Sequence, residues 1–251
     1  MSRLQALVAR EDADAKQVEQ VLNQDPALAA QVLRVANSPF YGGLSKISTI
    51  SAAAQRLGMR QVVNIATLTA QRAAHATPDP VVKFFMKCLW QHSVGCAIGA
   101  KWLAEHANCR EHANEAFMAG LLHDVGSLLL LRVLESLRGS QPKQPMPESL
   151  ILEVITSLHA EQGAQLIRHW GLPESYAQVA ATHHGAEADA GDTVAQLVRV
   201  ANEACHKLGL SLTPDASIRL STLPESHALG LRELTLAELE IAIEDGVAAL
   251  S

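Results

Sequence analysis

Aromatic residues make up only 4% of this 251-residue chain, and runs of β-branched residues are few. With Ala and Leu dominant instead, a sheet-based fold is not indicated and helices are. No block of Lys or Arg occurs, and the formal net charge is −6. A surface that tracks nucleic-acid phosphates clusters its cations, so nucleic acid is not an expected partner. The four cysteines, Cys88, Cys96, Cys109 and Cys205, include no Cys-x-x-Cys pair. Cys88 and Cys96 fall on one predicted helix, too far apart along it to bridge. Reduced, buried thiols are expected, and no zinc-thiolate site. The first residues lack the apolar core of a signal peptide. The apolar run near residue 125 is interrupted by His, Asp and two Gly, and reads as too short and polar to cross a bilayer. A cytoplasmic protein without a membrane partner is the expectation.

The stretch Ala116–Leu131 organises what is present. It is almost wholly apolar except for His123 and Asp124 at its middle. A helix this apolar is buried on most faces, and an imidazole and a carboxylate buried there need partners. For a single His-Asp pair the ordinary reading is a core pair satisfied by protein groups. Further histidines change that. His92 lies in Leu-Trp-Gln-His-Ser, His159 in Ser-Leu-His-Ala-Glu, and His183 and His184 close Ala-Ala-Thr-His-His-Gly. Each follows apolar residues on a predicted helix and so points inward. Several helices delivering imidazole to one interior imply a common acceptor, for which a divalent metal is usual.

The punctuation predicts an all-α chain. Helices are expected at 14–23 and 25–36, the second opened by Asp25-Pro26. Ser48 is expected to cap a helix ending at Leu57, and Gly58 to separate it from one over 60–74. Asp79-Pro80 opens a long helix to about His106, followed by a helix or helix pair over 113–137. A Pro-rich exposed connection spans 139–147, and helices follow at about 148–169, 173–184, 192–208 and 236–249. Residues 1–76 read as a small helical lobe without candidate ligands, and 77–251 as a larger lobe holding the His/Asp cluster. The connection at Pro78–Pro80 is too short to be a free linker. Phe40 and Tyr41, in the turn-rich stretch Asn37–Ser45, either plug the core beneath their loop or anchor a partner. Trp90, Trp102 and Trp170 read as core. His75, His106, His112, His169, His206 and His227 flank polar residues and read as surface.

These segments, in this order, resemble the HDOD family, a divergent branch of the HD phosphohydrolase superfamily. The resemblance runs through Gln24-Asp-Pro-Ala-Leu28, Val32-Leu-Arg-Val-Ala-Asn-Ser-Pro-Phe-Tyr-Gly42, Leu89-Trp-Gln-His-Ser93, Ala119-Gly-Leu-Leu-His-Asp-Val-Gly126, His159-Ala-Glu-Gln-Gly-Ala164 and Trp170-Gly-Leu-Pro173. It implies a multi-helix HD-like bundle with a smaller N-terminal helical lobe. It also implies that His92, His123, Asp124, His159, His183 and His184 ligate one or two divalent metals, with Fe, Mn, Ni and Zn all compatible. In hydrolytic relatives a metal-activated water attacks a phosphoester. Two departures stand out. Asn202 occupies the place of a late Asp, and Ser127 stands where a Lys often follows the His-Asp pair. Glu203, Asp189 or Asp192 are the candidate replacements for the carboxylate. The leading expectation is therefore a bacterial signal-transduction or regulatory module. It would be non-catalytic and act on a protein partner through the surface near Phe40 and Tyr41, with the cluster either a structural or sensory metal site or a metal-free core held by internal hydrogen bonds. The alternative is a metal-dependent phosphohydrolase or phosphodiesterase acting on a nucleotide or another phosphoester. His123 and Asp124 would then be catalytic, with Lys87, Lys101 or Arg168 meeting phosphate.

Overall fold

The structure is a computed structural model that describes residues 26–38, 46–140, 146–185 and 191–250, together with Val18, Leu22 and Tyr41. Apart from Val18 and Leu22, the predicted helix over 14–23 lies outside the described residues, as do Phe40 and Asp189. Among the described residues there is no strand. In chain order the helices are α1 (Pro26–Ala36), α2 (Ile50–Leu57), α3 (Met59–Ala74), α4 (Pro80–His106), α5 (Ala113–Leu122) and α6 (Val125–Ser140). They continue with α7 (Glu148–His169), α8 (Glu174–Thr182), α9 (Thr193–Lys207), α10 (Pro224–Ala228) and α11 (Glu233–Leu250).

Helix α4 is the axis of the molecule, and its limits follow from local chemistry. The Asp79 carboxylate accepts from the Val81 and Val82 amides at 2.9 and 3.1 Å, which satisfies two donors that the helix itself cannot. Pro80 follows at the first helical position, where a missing N–H is harmless. The second Asp79 oxygen accepts from Arg138 Nε at 2.9 Å, tying the start of α4 to the end of α6. Asn108, just past the far end, takes a left-handed φ of 57° and stops the helix. Around this axis pack α5, α9 and α11, with α6 against its N-terminal half. Fully buried Ile98, Leu103, Phe117 and Leu121 fill the space between them. Each such side chain contributes about 1.5–3 kcal/mol of burial.

The first helices enclose a separate apolar cluster that includes Val32, Ile50, Val62 and Ile65. A third cluster joins α4, α6 and α7 through Phe85, Met86, Leu131 and Ile155. Helix α3 links the first cluster to the rest: Leu68 belongs to the main core, and Asn64 Nδ2 donates to Asn114 Oδ1 at 3.3 Å. Arg132 of α6 donates to the Ala74 and Ala76 carbonyls, which fixes the turn between α3 and α4.

Several local expectations change. Thr49, not Ser48, caps α2, its hydroxyl accepting from the Ala52 amide at 3.1 Å. His75 is buried rather than exposed: its Nδ1 donates to the Gln71 carbonyl at 2.8 Å and its ring meets Trp90 edge-on. His106, His169 and His227 are at the surface and His112 is half-buried. Trp90 is buried, while Trp102 and Trp170 are only partly covered at the edge of the main core. Residues 110–140 are long and apolar enough, by count, to cross a bilayer; in the fold 72% of their most apolar window is buried inside the protein. The run is also broken at His123 and Asp124, which separate α5 from α6.

Candidate metal centre

That break builds the site. Leu122 ends α5, and His123 turns its ring back so that Nδ1 donates to the Gly120 carbonyl at 2.7 Å. Asp124 closes the corner, with one carboxylate oxygen accepting from the Ser127 hydroxyl at 2.7 Å. Two residues on, Gly126 lies so close to α7 that a Cβ there would stand 2.0 Å from the His159 carbonyl oxygen. Only glycine permits this approach, and it brings His159 beside Asp124, with Nε2 3.6 Å from Oδ1.

The other rings are held the same way. His92, midway along α4, donates from Nδ1 to the Leu210 carbonyl at 2.9 Å. That carbonyl is in reach because Gly209 takes a left-handed φ of 76° after α9 and turns the chain back over the site. His159 donates from Nδ1 to Ile155 at 2.7 Å, and His183 to Ala180 at 2.9 Å. A carbonyl only accepts, so in these four rings the hydrogen is assigned to Nδ1 and Nε2 keeps its lone pair. Those lone pairs face one another: His92 and His123 Nε2 are 3.2 Å apart and His159 and His183 Nε2 3.3 Å apart, while His184 Nε2 stands 3.0 Å from His159 Nε2.

Facing lone pairs repel unless a proton or a cation stands between them. Burial disfavours the proton: it pushes His92 down to about 3 and His184 to about 4, with neighbouring rings adding to the effect. It pushes His183 well down and His123 down too, the latter against the pull of Asp124. For Asp124 burial acts upward, but the facing histidines and the Ser127 hydroxyl outweigh it and hold the carboxyl low. At neutral pH His92, His123, His183 and His184 are therefore neutral imidazoles near the Asp124 carboxylate, a donor set that fits a divalent cation. Two groups of ligand atoms could hold an ion: His92, Cys96 and His123, and His159, His183 and His184, each with its atoms within 4.8 Å of one another.

All six predicted ligands thus converge, and five of them, all but the deeper His123, line one cavity of about 280 Å³. Sequence reasoning missed two residues. His206, expected at the surface, lines the cavity with its ring 5.4 Å from His92. Its Nδ1 donates to the Thr213 carbonyl at 2.8 Å, so the returning segment 210–213 orients it. Cys96, read as an inert core thiol, places Sγ 3.7 Å from His92 Nε2. Its position four residues after His92 is the signal that could have found it.

The expected phosphate contacts do not assemble here. None of the described residues lining the cavity is Lys or Arg. Lys87 is exposed outside it, Lys101 donates to Gln61 and pairs with Glu105, and Arg168 pairs with Glu174 at the surface. The replacement carboxylate is missing from the described cavity wall as well. Asp192 caps α9 through the Ala195 amide, and Glu203 accepts from Asn202 Nδ2. Asn202 itself is buried with Oδ1 unpartnered and does not line the cavity. Tyr41 packs on the first apolar cluster, its hydroxyl accepting from Gln61 Nε2 at 3.0 Å.

The HDOD domain profile matches residues 1–186. An HDOD domain protein of unknown function from Geobacter sulfurreducens is 25% identical and superposes with a TM-score of 0.76, over 99% of this chain and 89% of that one. A proposed metal-dependent phosphohydrolase from Shewanella amazonensis SB2B, 20% identical with a TM-score of 0.77 and the same coverage, shares the fold. A proposed signal transduction protein from Marinobacter aquaeolei VT8 is 25% identical with a TM-score of 0.72, over 99% of this chain and 57% of that one. An uncharacterized protein of Treponema pallidum (strain Nichols) is 26% identical over 187 residues, which are 72% of this chain; the match spans 36% of that protein. With the profile covering most of its length, the chain belongs to the HDOD family.

Proposed function

We propose that the protein is a signal-transduction HDOD module whose His/Asp cluster is a structural or sensory metal centre rather than a hydrolytic one. The observation that carries this is the make-up of the cavity: a dense imidazole set, one carboxylate at Asp124, and no Lys or Arg among the described lining residues. The imidazoles and Asp124 would hold the ion. A divalent ion there supplies Lewis acidity and positive charge. Hydrolysis of a phosphoester also calls for groups that grip the phosphate and for carboxylates that balance the metal charge, and the lining offers one of the latter. The chain's own residues instead orient and exclude. Carbonyls fix the ring nitrogens, Ser127 holds Asp124, and Leu89, Ile155 and Leu212 dry the walls. The partner is a signalling protein, and the surface near Tyr41, whose hydroxyl meets Gln61 of α3 where that residue also takes Lys101 of α4, is its docking surface.

The second reading, a phosphohydrolase acting on a nucleotide or other phosphoester, is favoured by the open cavity, where Asp124, Ser127 and His206 face the same space. The two separate in one assay. Metal-loaded protein is incubated with p-nitrophenyl phosphate and bis-p-nitrophenyl phosphate, beside an Asp124→Asn variant. The regulatory reading predicts equal background rates for both proteins. Turnover lost in the variant selects the hydrolase.

A further inference from the structure

We propose that Cys96 is a metal ligand, so that the centre consists of two chemically unequal positions. One bears a thiolate and is formed by His92, Cys96 and His123; the other is all nitrogen and is formed by His159, His183 and His184. The proposal rests on the metal-centre reading above and adds a ligand that the imidazole and carboxylate set does not contain.

Geometry carries it. His92 and Cys96 are four residues apart on α4, so their side chains share one helix face. Tetrahedral zinc takes about 2.05 Å to nitrogen and 2.3 Å to sulfur, which sets ligand separations of about 3.3 Å for N···N and about 3.6 Å for N···S. The observed values are 3.2 Å between the two Nε2 atoms and 3.7 Å from His92 Nε2 to Cys96 Sγ. All three atoms lie within 4.8 Å of one another. Both rings already have Nδ1 committed to a carbonyl, so Nε2 is fixed as the coordinating atom. The cysteine is a free thiol and fully buried. Its other sulfur neighbour is Cys205, which packs over Gly95.

Binding a cation at this position breaks the Cys96 S–H bond and forms a metal–sulfur bond, and the proton passes to solvent. Asp124 lies next to the second position, within 3.6 Å of His159 Nε2. A soft thiolate favours zinc, ferrous or cobaltous ions over manganese or magnesium at the first position. The nitrogen position has no thiolate and has the Asp124 carboxylate beside it, so it discriminates less strongly against manganese, and the two sites fill with different selectivity.

Absorption spectroscopy of the metal-free full chain titrated with Co(II) tests this. The expected result is visible bands from bound cobalt together with a near-ultraviolet thiolate-to-cobalt charge-transfer band that saturates at one equivalent. Cys96→Ala abolishes that band and weakens the corresponding binding step by at least about tenfold, the least that loss of even an outer partner costs a metal site. Cys96→Ser does the same and serves if the alanine variant misfolds, as judged by circular dichroism. A triple variant with Cys88, Cys109 and Cys205 all replaced by Ala keeps the band. Visible bands without charge transfer in the parent overturn the thiolate proposal and leave the metal centre standing. A band that survives in Cys96→Ser, or vanishes in the triple variant, places the thiolate elsewhere and also overturns it. No bound cobalt overturns both readings.

Discussion

Replacing Gly126 with Ala tests the joint that holds the centre together. The added Cβ would stand 2.0 Å from the His159 carbonyl oxygen and 2.6 Å from the Gly163 nitrogen. Both are backbone atoms of α7, so no side chain can swing aside. Ordinary contact begins near 3.4 Å, so the two helices must part by about 1.4 Å at this point. Overpacking on this scale costs about 3 kcal/mol. Alanine returns at most about 1 kcal/mol of helix propensity. The remaining ~2 kcal/mol lowers Tm by about 4–8 °C in a chain of this size. Because Asp124 and His159 ride on opposite sides of the joint, metal affinity falls as well. Two alanine substitutions calibrate the measurement. Gly139, in the same helix, has nothing within 4 Å of its would-be Cβ, so Gly139→Ala raises Tm slightly. Gly163 meets its nearest atom, the Gly126 nitrogen, at 3.2 Å, and its replacement leaves Tm nearly unchanged. The assay is thermal unfolding followed by circular dichroism, with and without added Zn²⁺. A Gly126→Ala protein that melts with the parent and binds metal equally well would refute the close-approach argument.

Other consequences follow from the same contacts. In metal-free protein, His92, His123 and His183 are buried neutral, with affinities for the proton below the ordinary 6.5. The unfolded state therefore binds more protons as pH falls below about 6.5, and stability drops through pH 6 to 4 at up to about 1.4 kcal/mol per unit for each ring. Asp124, also held low, adds a loss of the same sign below about pH 4. Urea midpoints across pH 4–7.5 check this, and a flat profile would contradict it. Glu225→Ala leaves Arg199 without the ion pair it makes at 2.8 Å, and the buried cation costs about 3 kcal/mol in chemical denaturation. Arg199 also donates to the Gly185 carbonyl, next to His184, so metal binding weakens in the same variant. Asp79→Ala removes both the α4 cap and the Arg138 pairing and costs about 1–2 kcal/mol by the same measurement.

Much of the architecture is legible in the residues because its signals are local. Asp79-Pro80 marks the start of α4, and the convergence of the six residues read as candidate ligands was legible because each sits at the inward end of an apolar helical pattern. Two kinds of fact escape such reading. One is closure by returning chain: His206 lies between Cys205 and Lys207 on α9, and nothing nearby announces that residues 210–213 fold back to seat its ring over His92. The other is burial set by tertiary packing. His75 has a polar sequence neighbourhood, yet Trp90 covers it from another helix. The break at His123 was only half legible, since neither Gly nor Pro sits at the corner itself. The turn is made by the His123 ring bonding back to Gly120 and by Ser127 holding Asp124. Lys101 shows the opposite failure, an apparent free cation that the interior of the fold engages through Gln61.

The most direct test of the account is metal content by elemental mass spectrometry on tag-free protein, before and after incubation with Zn²⁺, Mn²⁺, Fe²⁺ and Ni²⁺. His123→Ala and Asp124→Ala variants are measured beside it. The account predicts one to two equivalents of metal per chain in the parent and a loss of at least one equivalent in each variant. A parent that holds no metal under any of these conditions would contradict it and leave the facing imidazoles as a hydrogen-bonded core.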